Sequence, residues 1–363
     1  MKNGLLVSAP RSKWKNIGDY IQSIAQEQFF DHIDCFVERE KLSLYQSDEK
    51  TKVIMNAWFM WEPEHFPPSK DIDPLFISFH VVPKIAHKLL SLEVISYLKN
   101  FEPIGTRDTG TKELLESYGI KCYFSGCLTL TLGLRYTSVQ KDGAIYFVDP
   151  YYEMCGIKSN LLDFRKYFKV FCSYLRYRNR INSVLPHFNH EFQTVFGFIS
   201  KKLENRLCAA SFYKSYHGLF SDEILINSKF VTHNIRVTKN MDDNYLLKIA
   251  KDLVEKYAKA SLVITSRIHC GLPCLGIGTP TLFITSDVLE GNSLRSSGRF
   301  GGLLNLFHTI KWTKDGLVPI STTVQEILID GKFPSVFALK NKSDYRELRD
   351  NMIKKVNGFI NKQ

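Results

Sequence analysis

Apolar residues recur along this chain in two patterns. Short unbroken runs have the length and residue types of buried strands: 4–9 (GLLVSA), 53–57 (VIMNA), 76–82 (FISFHVV), 123–125 (YFS), 145–148 (IYFV), 262–265 (LVIT) and 281–284 (TLFI). Between them the spacing changes to three or four. Ile17, Ile21, Ile24, Ala25 and Phe29 predict a helix over NIGDYIQSIAQEQFF. IAHKLLSLEVISYLKN (85–100) and GTKELLESYGI (110–120) read as two more, the second stopped by Gly119. The clearest amphipathic helix covers 242–260, where Leu246, Ile249, Leu253 and Tyr257 form one stripe and lysines fill the other face.

Strands that alternate with helices imply a parallel sheet covered on both faces. Residues 151–210 lose this regularity and are rich in Arg, Tyr and Phe, as expected of a linker with connecting helices. A second α/β unit begins near Ile224, and a polar helix over 343–359 is expected to return to the first unit. At 363 residues, two domains are expected rather than one. The predicted fold class is α/β, with two Rossmann-like domains facing across a cleft. The predicted limits are 1–150 for the N-terminal domain (acceptor side) and 151–223 for the linker. The C-terminal domain (donor side) takes 224–342, and the returning helix 343–363.

Composition narrows the function classes. With 44% hydrophobic and 13% aromatic residues the chain can bury substantial cores. It has no run of about 20 uncharged apolar residues, so no transmembrane helix is expected. MKNGLLVSAPRSKWKN reads as a first strand and not as a signal peptide, because basic residues follow its AP at once. Eight cysteines without a CxxC pair suit reduced thiols in a cytoplasmic protein, and argue against a structural zinc site or a disulfide framework. A net charge of +11 favours phosphorylated or acidic partners, or an anionic membrane surface. Nucleic acid is not expected, since no helix-turn-helix, RRM or zinc-finger pattern accompanies the charge. The densest basic stretch, YLRYRNR at 174–180, reads as a solvated face or a membrane-proximal patch.

The candidate chemistry concentrates at SLVITSRIHCGLPCLGIGTPTLFI, residues 261–284. Its first strand ends in Ser266-Arg267-Ile268-His269, and open α/β sheets bind ligands at that edge. If Thr265 or Ser266 caps the following helix, Arg267 takes its first position. There the dipole and a guanidinium fork both suit a carboxylate or phosphate. His269 then lies about 200° round a regular helix from Arg267. The two converge on one ligand only if Arg267 keeps the loop geometry of the turn. Pro273 predicts a short or kinked helix.

SRIHCGLPCLGIGTP closely resembles the Ser-Arg-Leu-His…Gly-x-Pro signature of the polysaccharide pyruvyl transferase family. NIGDYIQ is similar to that family's Asn-x-Gly-Asp segment, and GTRDTGTKELLESYGI to its central Arg-Asp segment, in the same order along the chain. The resemblance spans roughly residues 4 to 310. It implies a fold like the GT-B glycosyltransferases and transfer of enolpyruvyl carbons from phosphoenolpyruvate to paired sugar hydroxyls, with release of phosphate. The product is a cyclic pyruvate ketal. Phosphoenolpyruvate is then a co-substrate, and neither cofactor nor metal is expected. Arg267 matches the donor-binding Arg and His269 the catalytic His. The resemblance also implies an acceptor on polyprenyl diphosphate, for capsule or exopolysaccharide, handled at the inner membrane face. In one respect the chain departs from the pattern. Many members follow the central glycine with a strand ending in Asp-Pro, whereas this chain has YFSGCLTLTL, which leaves Ser125, Thr129 or Thr131 to line the cleft.

Further candidates follow from position. Ser266, Arg107, Arg295 and Arg299 are available to the donor, the last two on the Gly- and Ser-rich loop NSLRSSGRFGGL, which reads as a lid. Asn16, Asp19, Trp58, His65 and His80 are candidates for the acceptor side. His80, Glu64 and His65 are the candidate bases. Each has a structural alternative: Asp19 as a helix-start acid, Arg107 as the partner of Asp108, His80 as a core residue, 56–69 as a packed loop. The competing functional readings are a GT-B glycosyltransferase using a nucleotide sugar, with Arg267 on the diphosphate, and a non-catalytic relative in surface-polysaccharide assembly.

Overall fold

The computed structural model describes residues 1–8, 13–58, 61–137, 140–156, 164–184, 186, 188, 201–286, 300–335 and 338–362. The chain opens with β1 (Lys2–Val7), β2 (Trp14–Asn16) and α1 (Gly18–Glu27), then β3 (Cys35–Glu38), β4 (Thr51–Ile54) and β5 (Ile72–Leu75). Helices α2 (Pro83–Leu89) and α3 (Leu92–Lys99) lead to β6 (Ile104–Thr106), α4 (Thr109–Ser117) and β7 (Cys122–Phe124). A 3-10 segment, Leu128–Leu134, precedes β8 (Ile145–Val148). Then come α5 (Phe164–Val184), α6 (Lys201–Tyr216), α7 (Asp222–Asn227), β9 (Lys229–Val231), β10 (Asn234–Arg236) and α8 (Asp243–Lys259). The remaining elements are β11 (Leu262–Thr265), α9 (Ile268–Ile277), β12 (Thr281–Thr285), β13 (His308–Thr313), β14 (Gly316–Pro319), α10 (Thr322–Ile327) and α11 (Tyr345–Ile360).

This is a mixed α/β fold with parallel sheets. β3-β1-β4-β5 form one parallel sheet. Single bridges, Phe79 to Thr106 and Trp58 to His80, carry the pairing on toward the parallel pair β6-β7. The second sheet has the order β14-β13-β12-β11-β8-β9 and is parallel except at β14. Ile145–Val148 reads from the sequence as the last strand of the first unit. It sits instead inside the second sheet, between β9 and β11, because its apolar side chains complete that sheet's two buried faces.

Three apolar clusters fill the layers. One lies on the outer face of the first sheet under α2, α3 and α4, and one on the outer face of the second under α5, α6 and α7. The largest lies between the sheets, where α1, α8, α9, α11 and the 3-10 segment meet. The 242–260 stripe behaves as its period predicts, with Asp242 capping α8 by accepting the Tyr245 N–H at 2.8 Å. The single helix predicted over 85–100 is two helices. Ser91 interrupts it and caps α3 by accepting the Val94 N–H at 3.3 Å. The strand predicted over 76–82 falls short: β5 ends at Leu75, and the segment after it pairs only through isolated bridges. Through α11, Tyr345, Met352, Val356 and Phe359 join the middle core, and Lys52 Nζ donates to the Ile360 carbonyl at 2.6 Å.

α9 is buried along its length from Ile268 to Gly276, as expected for a helix with almost no polar residue. It runs through Pro273 and stops at Gly278, which takes a left-handed φ of +86°. Its close approach to the 3-10 segment depends on two glycines. A Cβ on Gly276 would stand 2.1 Å from the Leu130 carbonyl oxygen, and one on Gly133 would stand 2.1 Å from that of Gly276. Both obstacles are backbone and cannot rotate away. Gly276→Ala is therefore expected to cost the upper end of the roughly 1–3 kcal/mol typical of overpacking, read as a lower urea midpoint. An unchanged midpoint would mean that the crossing is loose.

Candidate functional site

Several of the polar side chains that meet in this fold come from the carboxyl ends of parallel strands, the edge at which open α/β sheets bind ligands. β11 delivers Ser266 and Arg267. Arg267 is the residue before α9, with extended φ and ψ of −98° and 122°, and not its first helical residue. That is the loop geometry in which Arg267 and His269 can face one ligand. The Arg267 N–H donates to Thr265 Oγ1 at 2.9 Å, so Thr265 shapes the turn.

β8 delivers the counter-charge. Asp149 follows Val148 in a left-handed conformation, φ +44°, which a short polar side chain tolerates. Arg267 Nε donates to Asp149 Oδ2 at 2.8 Å. The same oxygen accepts the His233 N–H at 3.0 Å, and Ser266 Oγ donates to the Asp149 carbonyl at 2.6 Å. Burial pushes the Asp149 carboxyl up, but the charges of Arg267 and His233 and the His233 N–H outweigh it and hold the group below the usual carboxylate range. The carboxylate thus fixes the guanidinium plane by one edge, while the Arg267 side chain keeps 28% of its surface exposed. His233 is anchored in turn, with Nε2 2.8 Å from the Tyr257 hydroxyl.

The N-terminal segment enters from the opposite sheet. β2 pairs antiparallel with β10, and Ile17 N–H donates to the His233 carbonyl at 2.7 Å. The turn after β2 is closed by Asn16 Oδ1, which accepts the Gly18 N–H at 3.1 Å. A Cβ on Gly18 would lie 3.1 Å from both Asn16 Oδ1 and His269 Cβ and 3.3 Å from His233 Nδ1. Asn16, Gly18, His233 and His269 therefore occupy one place, and only glycine leaves room for all of them without displacement.

A second buried chain of contacts runs from there along the first sheet. Asp19 Oδ2 is 3.6 Å from Arg39 Nη2, and the Arg39 guanidinium lies over the Trp58 ring at 5.8 Å. Trp58 stacks on His80 at 6.4 Å between centroids. His80 Nδ1 is 2.7 Å from Asp108 Oδ2, which is also 3.2 Å from Arg107 Nη2. Burial raises the Asp108 pKa, but His80, Arg107 and the Thr111 N–H bring it below its ordinary value. Arg107 is 1% exposed and pairs with Asp108. The 300–303 end of the Gly- and Ser-rich loop docks beside this chain, where the Gly301 carbonyl accepts the Thr109 N–H at 3.1 Å.

Other sequence candidates lie elsewhere. His65 sits in a 3-10 turn with Ser43 Oγ at 3.4 Å and Glu62 Oε2 at 3.5 Å. Ser125 Oγ donates to the backbone carbonyls of Thr106 and Gly126, and Thr131 Oγ1 to that of Leu128, which are structural bonds. Arg295 and Arg299 lie outside the described residues. Among the described residues, no group of three His, Cys, Asp or Glu side chains is placed to hold a metal ion.

A family model described as polysaccharide pyruvyl transferase matches residues 16–288. The chain belongs to the polysaccharide pyruvyl transferase family. No curated protein matches it. The family segment begins at Asn16 and takes in Asp149, His233, Arg267 and His269, so every residue of the first cluster lies within it. β13, β14 and α11 fall beyond it. Sequence reasoning missed Asp149, although a signal was present: an Asp-Pro does close a strand in this chain, one strand later than after the central glycine. His233 carries no such signal, since it becomes relevant only through Asp149 far back along the chain, and Arg39 stands beside Glu40, with which it pairs at 3.2 Å.

Proposed function

We propose that the chain transfers the enolpyruvyl group of phosphoenolpyruvate to a sugar of a polysaccharide precursor, carried on polyprenyl diphosphate, and closes a cyclic pyruvate ketal. The observation that carries this reading is Arg267, extended before α9 and held by Asp149, beside His269 and the Asn16–Gly18 turn. Phosphoenolpyruvate presents a carboxylate and a phosphate. A guanidinium with a fixed plane at the amino end of a helix matches such a dianion in charge and geometry.

His269 donates a proton to the methylene carbon, and C2 becomes oxocarbenium-like. A sugar hydroxyl attacks C2 and gives up its proton to a base. Phosphate leaves, and the second hydroxyl attacks the same carbon, closes the ketal and passes its proton to the departing phosphate. Of the candidate bases, His80 has the supporting geometry, since Asp108 orients its imidazole at 2.7 Å. In this reading the donor lies at the carboxyl ends of β8 and β11 and the acceptor near Trp58 and His80.

The deciding experiment incubates purified protein with phosphoenolpyruvate and galactosyl, glucosyl and mannosyl acceptors and reads product mass. Binding of UDP- or GDP-sugars in preference to phosphoenolpyruvate would replace this reading with nucleotide-sugar glycosyl transfer. Because Arg267 and helix N–H groups carry the donor's charge in this scheme, turnover is expected to survive excess EDTA. Loss on chelation, restored by a divalent ion, would count against it.

A further inference from the structure

α5 has two different faces. Val170, Ile181 and Val184 are buried in the cluster it shares with α6. On the other side Phe168, Phe171 and Leu175 are 62%, 42% and 54% exposed. Their spacing of three and then four residues sets them in one stripe on the helix surface. Burial in the fold does not explain an outward row of two phenylalanines and a leucine. At about 100° per residue, Arg165, Lys169 and Arg176 border one side of the stripe and Arg178 the other, and all four are exposed. The helix sequence FRKYFKVFCSYLRYRNRINSV holds six basic residues and no acidic one. Arg180 is engaged by Asp222 at 2.9 Å, and among the described residues no acidic side chain pairs with Arg165, Lys169, Arg176 or Arg178.

An apolar stripe edged by cations is the pattern of a helix that lies in a membrane interface. A second copy of the chain is a poor occupant, because stripe against stripe would oppose like charges. No helix among the described residues is long and apolar enough to cross a membrane, so contact through α5 would be peripheral. We propose that α5 docks the protein on an anionic lipid surface, with Phe168, Phe171 and Leu175 among the headgroups and the flanking Arg and Lys side chains on lipid phosphates. This stands independently of the donor chemistry above.

The test is flotation of the full chain with vesicles, without substrates. One set is phosphatidylcholine alone and the other contains about one third phosphatidylglycerol. Binding is expected to the anionic set only, and to be lost at about 1 M salt, where the screening length falls to about 3 Å. A variant combining Phe168→Ser, Phe171→Ser and Leu175→Ser is expected to partition about tenfold or more weakly. A second variant, Arg176→Glu with Arg178→Glu, changes only exposed charges and is expected to lose binding while the apolar stripe stays. Equal binding to neutral vesicles, no binding of the unaltered chain, or retention by both variants would overturn the proposal.

Discussion

Arg267→Lys is expected to lower turnover by about 10²-fold or more, although the positive charge is kept. The guanidinium does two things that one ammonium cannot do together. Its Nε meets Asp149 Oδ2 at 2.8 Å, which sets the plane of the fork, and in the proposed scheme the rest of the fork holds the donor. A lysine would either follow the buried carboxylate and withdraw from the donor, or reach the donor and leave Asp149 with a partner fewer. The measurement is initial rate over a range of phosphoenolpyruvate concentrations. Turnover near that of the unaltered chain would make Arg267 part of the scaffold and remove the donor site from β11.

The second large effect concerns His269. His269→Gln is expected to reduce the rate at saturating phosphoenolpyruvate by about 10²-fold or more, the usual consequence of removing an acid–base group. The fold should tolerate the change, since glutamine keeps a polar side chain of similar reach at a position that is only 7% exposed. The useful experiment is paired, with melting temperature beside rate. A lowered melting temperature with an unchanged rate would identify a histidine that serves packing, and the proposed proton donor would have to be sought elsewhere.

The sequence was most legible where structure is local. The strand over 262–265 follows from length and residue type and the helix after Asp242 from its period, and the structure places both within a residue of the reading. β5 was not legible, because IDPL contains an Asp and a Pro, and only an outer position in its sheet makes them acceptable. The short strands β2 and β10 are polar and gain their identity only by pairing with each other across more than half of the chain. The site divides in the same way. Arg267 and His269 stand in a recognisable run, and Asn16 lies just before a periodic helix. Asp149 and His233 acquire a role only when three strand ends are brought side by side. A contact that costs a long loop closure leaves little trace in local spacing.

The antiparallel pair β2-β10, the Ile17–His233 bond and the glycine crossing of α9 over the 3-10 segment have a kinetic consequence. Many enzymes keep their binding groups apart on separate bodies and assemble them by closure, so that capture waits on a hinge. Here the Asn16–Gly18 turn is fastened by backbone to the segment of His233, whose N–H shares Asp149 Oδ2 with Arg267. Under the proposed function, donor association is expected to be governed by encounter and not by gating. For an anion approaching a chain of net charge +11, encounter is steered by the protein's field, and added salt should slow arrival more than departure.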